Sequence, residues 1–421
     1  MRKMRRCPCL SNQENFIISL DIGTSKVRVM IGEWQGGSLH VIGVGAADSN
    51  GMKKGSIIDI DQTVDAIQQA VKQAEQMVDV KIEEVYVGVS AQHAELTTGH
   101  GVVAVSSEDR EISSSDVERV IQAAKLIALP PDREILNVVP NEFIVDGLGG
   151  IQDPRGMIGV RLEVDATIVT TSKTSMHNLN RCISRAGLKP IAYILSALAV
   201  GEVALSRDEK NMGVVTIDFG AGATTVVSYS DGHLTAVRVI PLGGDLITND
   251  ISIGFRTQTD FAERIKMAYG HAIQAETSEE ITFQVPRIGS QLEKTFSQSD
   301  LANIIEPRVN EMFLILRQEL ASMGQLEPAG GFVLLGGVVS LPGFLEVGQA
   351  YLGSSVRVAV PEFAGIRDPA YVTGAGLLRY AANHETAVTR EVTRTVKVRS
   401  PERRKRGGAF ERVKNWFSEF I

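Results

Sequence analysis

Two aspartates, each followed by a glycine-containing turn, are the residues of this sequence best suited to chemistry. Asp21 lies in the segment LDIGTSK, and Asp218 lies in IDFGAGATT. Glycines in such turns let a chain of phosphates approach the backbone N–H groups closely. Two facing carboxylates suit a hydrated Mg²⁺, because this ion keeps several water ligands while it bridges phosphates. The expected phosphate contacts from these turns are Gly23, Thr24, Ser25, Gly220, Gly222, Thr224 and Thr225.

Both turns belong to a three-strand pattern that occurs twice. In residues 16–47, apolar runs predict a strand that ends at Asp21, a second strand over 27–32 and a third strand beyond it. Residues 214–244 repeat this plan around Asp218. One such hairpin alone is most often an ordinary glycine turn. Two copies, each with its aspartate in place, predict two similar lobes that face each other.

Helical periodicity predicts further elements around these hairpins. A helix over 61–76 follows the first copy, and helices over 260–269 and 300–323 lie in a polar insertion. An α+β insertion between the two copies contains a further helix, which Ser115 and Glu118 are expected to open as a capping box.

A short buried-type strand near the end of the second copy carries another candidate contact. The strand, over 332–335, ends at Gly336 and Gly337, which allow a flat ring to lie against the backbone. Ser340 is expected to cap the helix that follows. A plain strand-to-helix connection is an equally good interpretation of this segment on its own.

Composition and charge limit the class of protein. The 421 residues, of which 43% are apolar, suffice for roughly two to four domains with real cores, and no apolar run is long enough to predict a spanning helix. Three cysteines (Cys7, Cys9 and Cys182) exclude a disulfide framework and favour a reducing, cytosolic compartment. A net charge of −7 argues against a general nucleic-acid binder.

The C-terminal region combines a basic segment with an aromatic amphipathic pattern. Residues 394–406 hold seven cations and one anion, and 407–421 follow them. At about 100° per residue, the apolar side chains of 407–421 fall within an arc of about 140°, as in helices that lie in a membrane interface. Docking of this helix on the protein itself is the alternative. The predicted contacts with anionic lipid are Arg403, Arg404, Lys405, Arg406, Phe410, Val413, Trp416, Phe417, Phe420 and Ile421.

Taken together, these motifs resemble the actin-like ATPase superfamily. The matching segments are the first phosphate loop at 21–26, a first connecting helix at 196–205, the second phosphate loop at 218–225, an adenosine loop at 336–343 and a second connecting helix at 368–381. The resemblance places Glu263 and Lys266, which share a helix face, near the ribose and adenine. The additional nucleotide contacts it implies are Lys26, Gly243, Gly244, Glu263, Lys266, Gly336, Gly337 and Ser340.

Within that superfamily, the segment IISLDIGTSKVRVMIGE, the position of the insertion and the tail resemble the FtsA family of bacterial cell-division proteins. The resemblance implies an α/β, actin-like fold of two lobes, a duplicated ribonuclease H-like unit, with an α+β insertion subdomain and a C-terminal amphipathic helix. It implies binding of ATP and Mg²⁺ with weak ATPase activity at most, because no general base is evident.

The same resemblance implies a set of partners and a location. The expected partners are the C-terminal peptide of FtsZ, a second copy in a head-to-tail filament, the anionic inner-membrane surface and later division proteins, but no nucleic acid. The protein would anchor FtsZ filaments, which form the Z ring, to the cytoplasmic face of the membrane at mid-cell.

The implied organisation divides the chain into two split lobes and added segments. Its boundaries are 1–15 for an N-terminal extension, 16–84 with 166–212 for subdomain IA, 85–165 for the insertion IC, 213–255 with 327–382 for subdomain IIA, 256–326 for the FtsZ-binding subdomain IIB, 383–406 for a flexible basic linker and 407–421 for the membrane helix.

Two other functions fit the same superfold, since a fold alone does not determine function. A metabolic kinase would need an aspartate base in the cleft and has no use for a membrane helix. A PilM-like adaptor of pilus assembly shares the fold and the insertion but binds a different peptide. The amphipathic tail disfavours the kinase most strongly.

Overall fold

The computed structural model describes residues 16–35, 38–289, 293–353, 355–363 and 366–392, with side chains as far as Asn383. The predicted N-terminal extension, the end of the predicted linker and the predicted membrane helix lie outside these residues. The lipid contacts expected between Arg403 and Ile421 therefore stay predictions. Within the described ranges, no helix is both long enough and apolar enough to cross a bilayer.

The described chain alternates strands and helices. The strands are β1 (Phe16–Ile22), β2 (Lys26–Gln35), β3 (Ser38–Asp48), β4 (Met52–Lys53), β5 (Ser56–Ile57), β6 (Glu84–Val89), β7 (Glu95–Ala104), β8 (Arg133–Val145), β9 (Leu148–Ile151), β10 (Arg161–Ser172), β11 (Lys189–Leu195), β12 (Val214–Phe219), β13 (Thr224–Ser230), β14 (His233–Ile240), β15 (Thr282–Pro286), β16 (Glu293–Ser297), β17 (Phe332–Leu335) and β18 (Val356–Val358). The α-helices are α1 (Ile60–Val78), α2 (Ser114–Ala124), α3 (Lys173–Arg185), α4 (Ser196–Ala204), α5 (Arg207–Met212), α6 (Gly244–Phe255), α7 (Thr259–Tyr269), α8 (Gln298–Ser322), α9 (Phe344–Leu352) and α10 (Val372–Val392).

Two five-stranded sheets of identical topology form the centres of the two lobes. The first has the order β3-β2-β1-β6-β11, and the second has the order β14-β13-β12-β17-β18. In each sheet the first three strands in this order pair antiparallel. The fourth strand then pairs in parallel with the third, which is β1 or β12, and the fifth pairs in parallel with the fourth. The duplication predicted from the sequence is thus confirmed at the level of strand order and direction.

Helix α1 shows how the sequence produces these elements. The Asp59 side chain accepts a hydrogen bond of 3.0 Å from the Gln62 N–H, which satisfies one free donor of the first turn. Val64, Ile67 and Val71 recur at helical spacing and are buried on the face that covers the first sheet. The helix ends because Asp79 adopts a left-handed conformation, with φ of 57°.

The insertion is a separate antiparallel sheet covered by one helix. Its strand order is β7-β10-β8-β9, and α2 packs on β7 and β10. The predicted limits 85–165 are wrong at both ends. Strand β6 pairs in parallel with β1 and is buried in the first central sheet, so the insertion begins after it. Strand β10 pairs with β8 as far as Ser172, so the insertion sheet continues past residue 165.

The predicted capping box of α2 is also corrected by two residues. The N-cap residue is Ser113, whose side chain accepts from the Asp116 N–H while Asp116 returns a bond to the Ser113 N–H. The predicted pair Ser115 and Glu118 does not form the box, although the Ser115 hydroxyl lies within hydrogen-bond distance, 3.0 Å, of the Ser113 hydroxyl. The spacing of the motif was right, but a run of three serines left its register open.

The second lobe carries its own added layer between β14 and β17. Helices α6, α7 and α8 pack on one another, and the hairpin β15–β16, which the sequence did not predict, lies beside them. Phe255 stacks on Phe296 of this hairpin with ring centroids 4.0 Å apart. Helices α7 and α8 occur where periodicity predicted them.

Helices α4 and α10, which correspond to the two expected connecting helices, cross closely through their small residues. A Cβ added to Gly376 would overlap the backbone oxygen of Ala199, so only glycine allows this approach. Helix α10 continues to Val392, ten residues into the segment predicted as a linker. The scarcity of apolar residues predicts a linker from position 383 on, but a polar segment can also continue a helix past the core.

Candidate functional site

The two glycine turns face each other between the lobes. In both, the glycine after the aspartate closes the turn through its N–H: Gly23 donates to the Lys26 carbonyl at 3.0 Å, and Gly220 donates to the Ala223 carbonyl at 3.1 Å. A Cβ added to Gly222 would lie 2.8 Å from Thr24 Cγ2 and 2.9 Å from Thr24 Oγ1. The turns are therefore in direct contact across the cleft, and a side chain at position 222 would separate them.

Asp21 and Asp218 lie at the centre of this contact. Burial raises the pKa of Asp21. Burial, together with the nearby negative charge of Asp21, raises the pKa of Asp218 to about 6. In the described part of the chain, no protein donor hydrogen-bonds to either carboxylate. Two partly buried, neighbouring carboxylates without donors fit a divalent cation and its water ligands.

The strand end at Gly336 closes the cleft against Asp218. Gly336 has φ of 96°, and a Cβ there would overlap Oδ1 of Asp218 and the Phe219 carbonyl. The close approach at Gly336 is thus made by the protein's own Asp218 and Phe219, and the contact of a flat ring with this Gly-Gly pair stays a prediction. Ser340, however, caps nothing: it ends a short 3₁₀ helix, and the N-cap residue of α9 is Gly343, which makes no side-chain cap.

The start of α6 packs directly on the second turn. The Gly244 N–H donates to the Gly220 carbonyl at 3.0 Å, and the Asp245 N–H donates to the Ala221 carbonyl at 2.9 Å. A Cβ on Gly243 would overlap the Ala221 carbonyl. The second turn is thus held by the following helix, and the glycine at position 243 is required for the close approach.

Glu263 and Lys266 form an ion pair that reaches this helix start. Their charged atoms are 2.6 Å apart, and the Lys266 ammonium also donates to Thr248 Oγ1 at 2.8 Å and to the Gly244 carbonyl at 3.3 Å. The Lys266 side chain is 11% exposed, whereas that of Glu263 is 42% exposed. The pair therefore lies beside the second turn. Glu263 Oε2 is engaged by Lys266 and accepts from the Thr248 hydroxyl, while the side chain stays exposed enough for its other oxygen to meet a ligand.

Several predicted hydroxyl and ammonium contacts are engaged elsewhere. The Thr224 hydroxyl is buried and donates to the Leu242 carbonyl at 2.7 Å, so it supports the turn. The Lys26 ammonium pairs with Asp48 at 2.6 Å. Ser25 is exposed on the first turn, and Thr225 lies in register with Asp218 on the neighbouring strand.

Arg28 is a site residue that the sequence reasoning missed. It lies directly opposite Asp21 in the β1–β2 register, and its charge lowers the pKa of both Asp21 and Asp218. Its guanidinium lies 5.2 Å from the centroid of the Tyr371 ring. The hairpin register could have revealed it, because the residue opposite a site aspartate shares its neighbourhood.

The described residues contain no group of three or more His, Cys, Asp or Glu side chains arranged to hold a metal. A cation held mainly through water, as the two aspartates suggest, does not need such a group. A cavity of about 520 Å³ lies elsewhere, between the end of α4, β18 and α10, and the phosphate turns do not line it.

A duplicated sheet, two facing aspartate turns and closely crossed connecting helices define an actin-like nucleotide-binding fold. Solved structures share it. The PilM-PilN type IV pilus biogenesis complex aligns over 86% of this chain and 97% of the matched chain, with a TM-score of 0.60 at 17% identity. MreB5 of Spiroplasma citri bound to ADP aligns over 89% and 99%, with a TM-score of 0.56 at 12% identity. At these identities the likeness concerns the fold alone.

Sequence comparisons are more specific. Family models match residues 215–376 as "Cell division protein FtsA" and residues 91–170 as "SHS2 domain inserted in FTSA". The chain is 49% identical to the cell division protein FtsA of Bacillus subtilis, over 90% of this chain and 87% of that protein. It is 33% identical to that of Escherichia coli, over 92% and 96%. The chain belongs to the FtsA family of bacterial cell-division proteins.

Proposed function

We propose that this chain binds Mg-ATP between its two phosphate turns and acts as a nucleotide-dependent, polymerising adaptor of cell division. The observation that carries the proposal is the pair Asp21 and Asp218 at the meeting point of two glycine turns. A bound Mg²⁺ would supply the positive charge that these carboxylates and the phosphates both need. The backbone N–H groups around Gly23, Gly220 and Gly222 would bind phosphate oxygens.

The nucleoside would extend from the phosphates toward α6 and α7. Gly337, where an added Cβ would meet nothing nearer than the Ala370 Cβ at 4.0 Å, leaves the backbone open to a flat ring. The Cβ positions of Gly336 and Gly243 are blocked by Asp218 and Ala221, so these glycines let the protein's own segments pack closely around the cleft. The half-exposed carboxylate of Glu263 would accept hydrogen bonds from ribose hydroxyls. Lys266, which bonds to Thr248 and Gly244, would fix that carboxylate in place.

Turnover would be slow. Asp21 and Asp218 would both hold water ligands of the cation, which leaves neither free to remove a proton from an attacking water. We therefore propose that nucleotide binding and lobe closure, and weak hydrolysis at most, set the state of the protein.

Membership of the FtsA family and the chemistry of the tail support the wider role. We propose that residues 407–421 insert an aromatic face into the cytoplasmic side of the cell membrane, with the cations at 403–406 favouring anionic lipid. Subdomain IIB would bind the FtsZ C-terminal peptide, and copies would associate head to tail. The protein would thereby anchor FtsZ filaments at the mid-cell division site and help to recruit later division proteins.

The nucleotide proposal is tested by calorimetry with Mg-ATP. Asp21→Ala and Asp218→Ala should each weaken binding about 10–100-fold, because each removes partners of the cation's water ligands. Glu327→Ala, which removes an exposed carboxylate from the second lobe outside the site, is the matched control and should bind as the parent does. Parent affinity in both aspartate variants would overturn the site.

The FtsZ contact is tested on the hairpin β15–β16, which has basic side chains near the loop that joins its strands. Arg287 and Lys294 are the candidates, whereas the nearby cation Arg308 is committed to ion pairs with Asp250 and Glu311. Replacing Arg287 and Lys294 by alanine should weaken binding of a labelled FtsZ C-terminal peptide by fluorescence anisotropy. Lys72→Ala, an exposed substitution on α1, is the control. Unchanged peptide binding in the double variant would count against this surface.

A further inference from the structure

The small hairpin β4–β5 touches the phosphate turns of both lobes. The Gly55 N–H donates to Thr24 Oγ1 at 3.2 Å in the first turn. A Cβ on Gly222 in the second turn would lie 2.9 Å from the Lys54 backbone nitrogen. Lys54 and Gly55 form the tip, and both have left-handed φ values, 49° and 78°. A two-residue tip of this kind is a stiff hairpin connection.

The other side of the same hairpin touches the base of the insertion. Ser56 Oγ lies 3.4 Å from His93 Nε2. A Cβ on Gly55 would lie 2.9 Å from Ser90 Oγ and 3.5 Å from Gln92 Cβ. Ser90 caps the short 3₁₀ helix Ala91–His93, with which the insertion begins. The Gln92 Oε1 atom is buried there and has no hydrogen-bond partner.

The second lobe contacts the insertion base from the opposite direction. Strand β14 packs against both the 3₁₀ helix Ala91–His93 and β7. Ala91 and Leu96 belong to one apolar cluster with Val227 and Val239 of the second lobe. The base of the insertion is therefore in contact with each lobe, and the hairpin is the part of the first lobe that also touches the phosphate turns.

We propose that the hairpin β4–β5 relays occupancy of the phosphate site to the insertion, with the Gly55 N–H positioning the Thr24 hydroxyl. This rests on the proposed nucleotide site. Because Thr24 Oγ1 accepts from Gly55, its own proton is free to be donated to a phosphate oxygen. A phosphate that takes this proton fixes the hairpin tip, and closure of Gly222 onto Lys54 presses on the same tip. Close packing then carries the displacement to Ser90 and Gln92, since packed interiors do not deform gradually.

Amide hydrogen exchange of the full chain, with and without Mg-AMP-PNP, tests the relay. In the parent, the exchange rates of the amides of 52–57 and of the insertion base, 91–104, should both fall at least about fivefold when the nucleotide is bound. The uncoupled variant is Ser56→Ala/Gln92→Ala/His93→Ala, which removes the side chains at the hairpin–insertion contact and leaves Thr24 and Gly55 intact.

In the uncoupled variant, we expect the nucleotide affinity by calorimetry to stay within about twofold of the parent, the hairpin to remain protected and the insertion base to lose its response. Glu118→Ala/Gln122→Ala, on the exposed face of α2, should respond as the parent does. Failure of the parent to bind the nucleotide would overturn the site and the relay together. Normal binding with the same insertion response in the parent and the uncoupled variant would overturn the relay alone.

Discussion

At the residue scale, Asp218 shows the physical signature of a binding group. A carboxyl that lies in a partly buried position, beside another carboxylate and without a hydrogen-bond donor, lowers the stability of the free protein whenever it is ionised. Such an arrangement persists where a ligand supplies the missing charge. Arg28 opposes this penalty only in part, because it lowers a pKa that burial still holds at about 6.

Asp218→Asn should therefore stabilise the nucleotide-free protein while it weakens Mg-ATP binding. Because the folded-state pKa is raised above 3.8, the penalty is present above about pH 6, shrinks as the pH falls toward 3.8 and is absent below it. At pH 7.5, we expect the variant to gain about 1–3 kcal/mol in free energy of unfolding, measured by urea denaturation without Mg²⁺.

The control for this stability difference is Asp65→Asn, an exposed carboxyl on α1, which should change the free energy of unfolding by less than about 0.5 kcal/mol. Two results would show that the carboxylate is satisfied within the protein. One is an Asp218→Asn variant less stable than the parent at pH 7.5, and the other is a stability difference between variant and parent that is the same at pH 7.5 and pH 4.

At the element scale, periodicity and turn chemistry predicted most of the fold. The duplicated strands, α1, α7, α8 and the close crossing of α4 and α10 follow from local patterns in the sequence. The errors concern information that is not local. The assignment of β6 to a central sheet depends on its partners, and the hairpin β15–β16 is held by contacts such as that between Phe255 and Phe296.

The candidate site likewise has features that local sequence predicted and features that depend on the folded chain. The glycines and aspartates were predictable because turn conformation and repetition mark them. The commitment of the Thr224 hydroxyl to Leu242 and of Lys26 to Asp48, and the proximity of Arg28, depend on how strands pair and pack. A sequence pattern identifies which residues can bind phosphate, but the folded chain determines which of their polar atoms remain free.

The insertion offers a stability test at this scale. Burial alone would raise the pKa of Asp116, but hydrogen bonds from Ser113, Arg119 and Ser106 outweigh it and hold that pKa well below its usual range. Asp116→Ala leaves those donors unpaired and should lower the free energy of unfolding by about 2–4 kcal/mol.

Glu118→Ala serves as the comparison for Asp116→Ala. It removes an exposed carboxyl from the next turn of α2, outside the observed cap, and should alter the midpoint of urea denaturation little. Equal destabilisation by the two substitutions would mean that the cap does not have the observed register.

At the scale of the whole molecule, the proposed nucleotide site and the insertion base both lie where the two lobes meet. The nucleotide would join the two lobes, and the insertion base contacts both of them. A ligand that binds the folded protein across both lobes stabilises it in proportion to the logarithm of ligand concentration over Kd. Nucleotide binding would thus tighten the body.

The last prediction concerns the membrane segment, 407–421, and depends on local physics. A helix of fifteen residues is marginal in water, so it should form as its aromatic face enters the headgroup boundary. Full burial of six apolar side chains would contribute on the order of 10 kcal/mol, an upper limit because the helix is only half immersed and its ordering costs entropy. Each linker cation adds about 1 kcal/mol near anionic lipid, and salt reduces this.

Neither contribution suffices alone, so a charge placed on the apolar face should release the protein. Trp416→Glu should shift it from anionic vesicles to the supernatant in co-sedimentation, without a change in the urea midpoint of the body. Asn415→Glu adds the same charge at the centre of the polar face and should retain most binding, because that face stays in water. Replacing Arg403, Arg404, Lys405 and Arg406 by glutamine should weaken binding only to anionic vesicles. Equal pelleting of Trp416→Glu and the parent would show that the protein attaches to the membrane by another surface.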